Sequence, residues 1–257
     1  MPLEQLILLA IIQGLTEFLP VSSSGHLVLT QELLHVNQPG LVFELLAHVG
    51  TLGAVLVYFR KSICRLIRAV FPGGGIEDRR MILWIIIGTV PAGLAGLFLE
   101  DLFDQAFSSP ALTAVMLLVT GVILMTTRLV RHGSVAVGWK SSLIMGLGQA
   151  MAIMPGISRS GTTIAAGLVA KVRPDRAAEF SFLLAIPAIG GAVVLKAGDL
   201  VELHGDLLGP YLVGTLMAFL FGLAAVHCVL SAVRRGKFDY FAYYCFAAGG
   251  LGLYLFL

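Results

Sequence analysis

Two short runs carry most of the residues able to do chemistry. One is EFLPVSSSGH, Glu17–His26; the other is PGISRSGTT, Pro155–Thr163. A serine near a histidine is the usual arrangement of an activated nucleophile. His26 can take the proton of Ser23 or protonate a leaving oxygen. Glu17 can orient that histidine, act as the base itself, or hold a divalent ion on a phosphorylated ligand. Order along the chain does not separate these roles. In the second run Arg159 offers a planar fork that suits phosphate oxygens. Gly156 and Gly161 let the backbone approach closely. Hydroxyls and helix N-terminal N–H groups add anion donors. Glu17, Ser22, Ser23, Ser24 and His26 from one run, with Ser158, Arg159, Ser160 and Thr162 from the other, make a set suited to a phosphorylated ligand. Each has a plainer reading when taken alone. SSSG after Pro20 caps a helix. Arg159 pairs with Glu17 or Glu44 in a structural ion pair. His26 is a hydrogen-bonded core residue. Glu44 opens a span and can line the site, and His48 lies one turn further on the same helix face.

The elements around these runs are built for lipid. Hydrophobic residues make up 58% of the 257 and charged residues 12%, against about 25% charged in soluble domains. The mean hydropathy is +0.93. Apolar runs of bilayer-spanning length recur along the chain. The fold class is therefore an all-α polytopic membrane protein in one integral domain, 1–257. The net charge of +2 says little about partners; the bilayer is one, and nucleic acid is not expected. Cys64, Cys228 and Cys245 fit no metal or redox spacing. The first segment lacks the basic start of a cleavable signal peptide.

Six segments read as full transmembrane helices: about Leu41–Phe59, Met81–Leu99, Pro110–Thr127, Ala177–Leu195, Tyr211–Ser231 and Phe238–Leu257. Leu3–Leu34 is broken by Pro20 and the serines, and Lys140–Ala170 by Pro155, Gly156 and ISRSG. Irregular backbone at membrane depth is tolerated only under protein or beside water. Both regions are therefore expected to be re-entrant helix-loop-helix hairpins. Basic groups follow alternate spans: Arg60–Arg80, Arg128–Lys140, Lys171–Arg176 and Arg234–Lys237. The other loops carry Glu100, Asp101 and Asp104, then Asp199, Glu202 and Asp206. Basic loops sit on the cytoplasmic side, which puts both termini outside. His35, His132 and His204 fall in loops, and Lys196 near a span end.

The two broken regions echo each other. Gln13, Ser22, Ser24 and Gly25 match Gln149, Ser158, Ser160 and Gly161 at one constant offset. Three spans separate the copies, so the second is flipped. This is an inverted-topology repeat of about 1–130 and 138–257, a plan in which broken helices meet near the bilayer midplane. The tips are expected to face each other. The same plan supports an alternative, a transporter or lipid-carrier flippase.

At QGLTEFLPVSSSGH and PGISRSGTT the chain resembles the undecaprenyl-diphosphate phosphatase family, also called bacitracin-resistance proteins. The likeness covers essentially the whole chain. It implies a phosphatase of a bacterial cytoplasmic membrane. Such an enzyme converts undecaprenyl diphosphate to the monophosphate, so that the carrier is reused in peptidoglycan synthesis. It implies Ser23 as nucleophile, with His26, Glu17 and Arg159 as the family's histidine, acid and phosphate-binding arginine. It also implies a divalent cation, Mg²⁺ or Ca²⁺. Other members carry Glu where this chain has Gln13, so Glu17 must supply the charge alone as a metal ligand. Gln13, Ser22, Ser24, Gly25, Gly156, Ser158, Ser160, Gly161 and Thr162 are expected to bind substrate. Hydrolysis at the outer face follows from the charge pattern. A homo-oligomer is left open.

Overall fold

A computed structural model describes residues 2–36, 41–130, 133–196, 198 and 205–257. Arg131, His132, Asp199, Glu202 and His204 lie outside the described residues, as do the side chains of Glu100, Asp101, Asp104 and Asp206. The chain folds as helices: α1 Leu3–Phe18, α2 Ser23–Leu33, α3 Leu41–Tyr58, α4 Arg60–Val70, α5 Ile76–Phe98, α6 Glu100–Phe107, α7 Pro110–Thr126, α8 Trp139–Met151, α9 Arg159–Val169, α10 Pro174–Leu195, α11 Gly205–Arg234 and α12 Tyr240–Phe256. There is no strand among the described residues, and an isolated bridge joins Val135 to Val172.

Each segment read as a span contains a long helix. Among the described residues four are long and apolar enough to cross a bilayer, Ile76–Phe98, Pro110–Leu129, Pro174–Leu195 and Leu208–Arg234; α3 and α4 taken as one bent span would make 5. α12 is apolar but shorter. The helix starts follow local chemistry. Ser109 caps α7, its Oγ accepting from Leu112 N at 3.2 Å, and Pro110 fills the first helical position. α1 ends before Leu19, whose extended backbone (φ −60°, ψ 142°) suits the residue that precedes Pro20.

One element departs from the sequence reading. The basic segment Arg60–Arg80, read as a loop, contains helix α4 and the first turn of α5. Its apolar residues recur at helical spacing, and that period outweighs the charge. α4 turns away from α3 by 79°.

The largest core cluster forms around the first break. Phe18 and Val21 meet Ile164 of α9, Phe182 of α10 and Val229 of α11, all buried. The rings of Phe18 and Phe182 pack edge to face at 5.7 Å. Small residues let neighbouring helices close in. Gly14 of α1 lies against Ala218 of α11, and Gly146 of α8 lies against Gly88 of α5. The broken ends of α1 and α9 are thus covered by protein rather than by lipid.

Candidate active site

The two breaks touch. A Cβ on Gly25 would lie 3.1 Å from Gly156 Cα, and one on Gly161 would lie 3.2 Å from Pro20 Cβ. Gly156 has φ +92°, which L side chains rarely adopt. Ser160 Oγ donates to Leu19 O at 3.1 Å. Thr120 of α7 holds the second tip at two points. Its Oγ1 donates to Gly156 O at 2.8 Å and accepts from Ser158 N at 3.0 Å.

The tips share one local geometry. Ser22 Oγ accepts from Gly25 N at 3.2 Å and caps α2; Ser158 Oγ accepts from Gly161 N at 3.1 Å and caps α9. Ser22 and Ser24 hydroxyls lie 3.3 Å apart, as do those of Ser158 and Ser160. The plain capping reading of the SSSG run is therefore right for Ser22, and Ser158 plays the same part in the second tip. It leaves Ser23 and Arg159 at the first turns of their helices, free of capping duty.

Those two side chains converge on Glu17. Arg159 Nη2 donates to Glu17 Oε1 at 2.6 Å. Ser23 Oγ donates to Glu17 Oε2 at 2.6 Å, and Gln13 Nε2 donates to the same oxygen at 3.0 Å. The Arg159 and Glu17 side chains are only 14% and 7% exposed. A buried carboxylate is stable only with such partners. The second guanidinium nitrogen, Nη1, is buried and has no hydrogen-bond partner among the described residues; the same holds for Thr162 Oγ1. One donor edge of the arginine is thus uncommitted, and the arginine and the nucleophile candidate are joined through the two oxygens of Glu17.

His26 stands elsewhere. Adjacency in sequence suggests a bond to Ser23, but the ring is engaged on both sides by other groups. Nδ1 lies 2.8 Å from Ser22 O and Nε2 lies 2.8 Å from Tyr244 OH. A carbonyl only accepts, so Nδ1–H donates and Nε2 accepts from the tyrosine. The helical turn from Ser22 to His26 carries the ring back over the turn, away from Ser23. The histidine restrains Ser22, whose φ of +67° is unusual for a non-glycine residue. The imidazole near Glu17 is His48 of α3. Its Nδ1 donates to Glu44 O at 2.7 Å, and its Nε2 lies 3.9 Å from Glu17 Oε2.

A cavity of about 530 Å³ opens beside this cluster. Gln13, Ser23, Ser24, Gln31, Glu44 and His48 supply polar lining, Leu27, Val28, Leu45, Ala192 and Val193 form apolar walls, and Lys196 also lines it. Gln31 Nε2 donates to Glu44 Oε1 at 3.2 Å. Glu44 therefore lines the site and does not pair with Arg159. Ser158, Ser160 and Gly161 hold the tips together and are not part of this lining, nor are Ser22, Gly25, His26, Gly156 and Thr162; Glu17 and Arg159 lie behind it, Glu17 reaching it through its bonds to Ser23 and Gln13 and Arg159 through Glu17. His48, Gln31 and Lys196 were not singled out as site residues. The i, i+4 spacing from Glu44 is the sequence signal for His48, and no spacing points to Gln31 or Lys196.

The site does not fit a resident divalent cation held by protein alone. Each Glu17 oxygen already accepts from a donor at 2.6 Å, one of them a guanidinium. Gln13 brings an amide, and among the described residues no group of three or more His, Cys, Asp or Glu is placed to hold a metal.

A family model described as bacitracin resistance protein BacA matches residues 6–251. Curated relatives match nearly end to end. A protein of Desulfosudis oleivorans named undecaprenyl-diphosphatase is 45% identical over 267 residues, covering 97% of each chain. One of the same name from Syntrophotalea carbinolica is 44% identical, covering 95% of each. Another from Salinibacter ruber is 40% identical, covering 97% of each.

Proposed function

The chain belongs to the bacitracin resistance protein BacA family, and from that premise we propose that it is a membrane hydrolase that converts undecaprenyl diphosphate to undecaprenyl phosphate and inorganic phosphate. The observation that carries this reading is the convergence of Ser23 and Arg159 on Glu17 at 2.6 Å each, next to a cavity with apolar walls. A nucleophile, a base and an anion-binding cation then share one point. The relatives' names favour hydrolysis over the transporter reading.

The diphosphate enters the cavity, and the prenyl chain leaves along Leu27, Val28, Leu45, Ala192 and Val193. The uncommitted edge of Arg159 takes the terminal phosphate. Substrate charge draws the guanidinium from Glu17, and the carboxylate becomes a stronger base as its cation leaves. Ser23 Oγ attacks the terminal phosphorus in line. Its proton passes to Glu17 Oε2, the bond from phosphorus to the bridging oxygen breaks, and the lipid monophosphate departs with the electron pair. Water then adds to the phosphoserine. One water proton stays on the released phosphate, the other goes to Ser23 Oγ as its bond to phosphorus breaks, and Glu17 gives up its proton to the cavity. His48 Nε2, beside the same carboxylate, can carry that proton outward. Phosphoryl transfer needs mainly positioning and charge stabilisation, and this cluster supports both.

The finer topology belongs to the same proposal. The six long helices cross the membrane, and the pairs α1–α2 and α8–α9 are re-entrant hairpins of an inverted repeat, 1–130 and 138–257. The matching caps at Ser22 and Ser158 support this. So does the exchanged packing, α1 on α11 and α8 on α5. The cavity opens at the C-terminal end of α10, while that helix's basic N-terminus lies at the other end. Charge asymmetry then puts the termini and the cavity mouth outside a bacterial cytoplasmic membrane.

Phosphate release from a prenyl diphosphate by the detergent-purified protein tests the reading, since detergent abolishes vectorial transport but leaves hydrolysis. Arg159→Lys keeps the charge and loses the fork; Arg159→Ala loses both. Each is expected to lower kcat/KM by at least about 10²-fold. Near-normal release by either folded variant would overturn the site.

A further inference from the structure

Helix α4 presents three sectors at helical spacing. Ser62, Leu66 and Ala69 face the protein. Ser62 Oγ donates to Glu179 Oε1 at 2.8 Å, Leu66 packs on the main core and Ala69 is buried. Ile63, Ile67 and Val70 share the next sector, of which Ile63 still packs on the main core. Ile67 and Val70 are 56% and 70% exposed, and Phe71 follows at 62%. Arg60, Lys61, Cys64, Arg65 and Arg68 form the third sector and are exposed.

Where α4 lies follows from the bend before it. α3 is apolar throughout and ends at Tyr58; after the buried Phe59 the chain turns by 79°. A helix leaving a membrane span at that angle runs close to the membrane plane. Arg65, though half-exposed, is already near carboxylates, 3.8 Å from Asp78 and 4.0 Å from Glu179. Lys61 and Arg68 have no carboxylate within ion-pair distance among the described residues. An apolar stripe edged by uncommitted cations at an interface complements a negative lipid surface.

We propose that α4 is an in-plane helix that binds anionic phospholipid headgroups. Ile67 and Val70 enter the acyl layer, and Lys61 and Arg68 meet lipid phosphates on the face opposite the cavity mouth. This surface lies outside the catalytic cluster and selects the lipid around the protein, independent of the substrate.

Two measurements on the full chain test it. Spin labels are placed on Cys64, and separately at Ile67→Cys with Cys64→Ser, both with Cys228→Ser, in vesicles of phosphatidylcholine and phosphatidylglycerol. The label at 67 is expected to relax with oxygen, which partitions into lipid, and the label at 64 with a water-soluble nickel chelate. Both labels responding only to the chelate would overturn the in-plane placement; that result would point to a soluble protein partner instead. The second measurement is the ratio of phosphatidylglycerol to phosphatidylcholine retained by protein purified from mixed micelles. The double variant Lys61→Gln, Arg68→Gln is expected to lower phosphatidylglycerol preference about 25-fold, from ~1 kcal/mol for each basic residue at an anionic surface. Added salt is expected to weaken the wild-type preference in the same direction. An unchanged ratio in a double variant that still releases phosphate at the wild-type rate would overturn the headgroup assignment.

Discussion

Glu17 is the residue on which the cluster depends, because four side chains are arranged by its charge. Arg159, Ser23 and Gln13 donate to it directly, and His48 stands within 3.9 Å. Removing one member of a buried pair strands the other, at a cost of about 3–5 kcal/mol. Arg159→Ala is therefore expected to melt earlier than wild type, and the double variant Glu17→Gln, Arg159→Ala to recover part of that loss while staying inactive. A thermal melt with a parallel phosphate assay reads both. His26 gives a sharper test. Held by Ser22 O and Tyr244 OH, it positions the turn that aims Ser23. His26→Ala is expected to lower kcat by roughly 10–100-fold, in line with a lost positioning group. His26→Asn keeps a donor toward Ser22 O and is expected to retain more activity than His26→Ala. Equal loss in both would make His26 a proton carrier after all. The types and spacing of Glu17, Ser23 and Arg159 were legible in the sequence as a phosphate-handling set. The partner of His26 was not, because Tyr244 arrives from the far end of the chain.

The elements that matter most are the two breaks. Each ends one helix at a proline-containing turn and starts the next with a serine cap, so the first turns of α2 and α9 aim their side chains inward. Gly156 meets the first tip at Gly25 and packs most closely on α7. Its φ is +92°, and a Cβ there would also press on Thr113 O and Met116. Gly156→Ala is expected to destabilise the protein by ~1–3 kcal/mol and to lower phosphate release with it, as read by a melt in detergent. An unchanged melt would mean that the second tip tolerates a different backbone. Gln149 shows how far the two tips differ. It matches Gln13 in the repeat, yet neither of its side-chain polar atoms has a partner among the described residues. Four residues on from Gln149 stands Ile153, where the first copy has Glu17. The acidic chemistry is thus held by one copy and the cation by the other.

At the scale of the molecule the question is which way the cavity faces. Its mouth carries Phe107 and Ser108 at the end of α6, together with Lys196 beyond α10. A cysteine at Gln105, introduced with Cys64→Ser and Cys228→Ser, is expected to react with an impermeant thiol reagent on intact cells. Labelling only after permeabilisation would reverse the orientation. The membrane class, the long helices and the broken pairs were determined by the sequence itself, because hydropathy period, proline and serine caps act within a few residues of where they stand. The chemistry open to the tips was also written in residue types. What only the tertiary structure decided were the pairings between distant segments: Arg159 with Glu17 rather than Glu44, His48 rather than His26 beside the carboxylate, and α4 bent away from α3. Local propensity does not specify these contacts. They are chosen by the packing of α1, α3, α9 and α10 around a shared core, which selects one neighbour for each buried polar group from several of the right type.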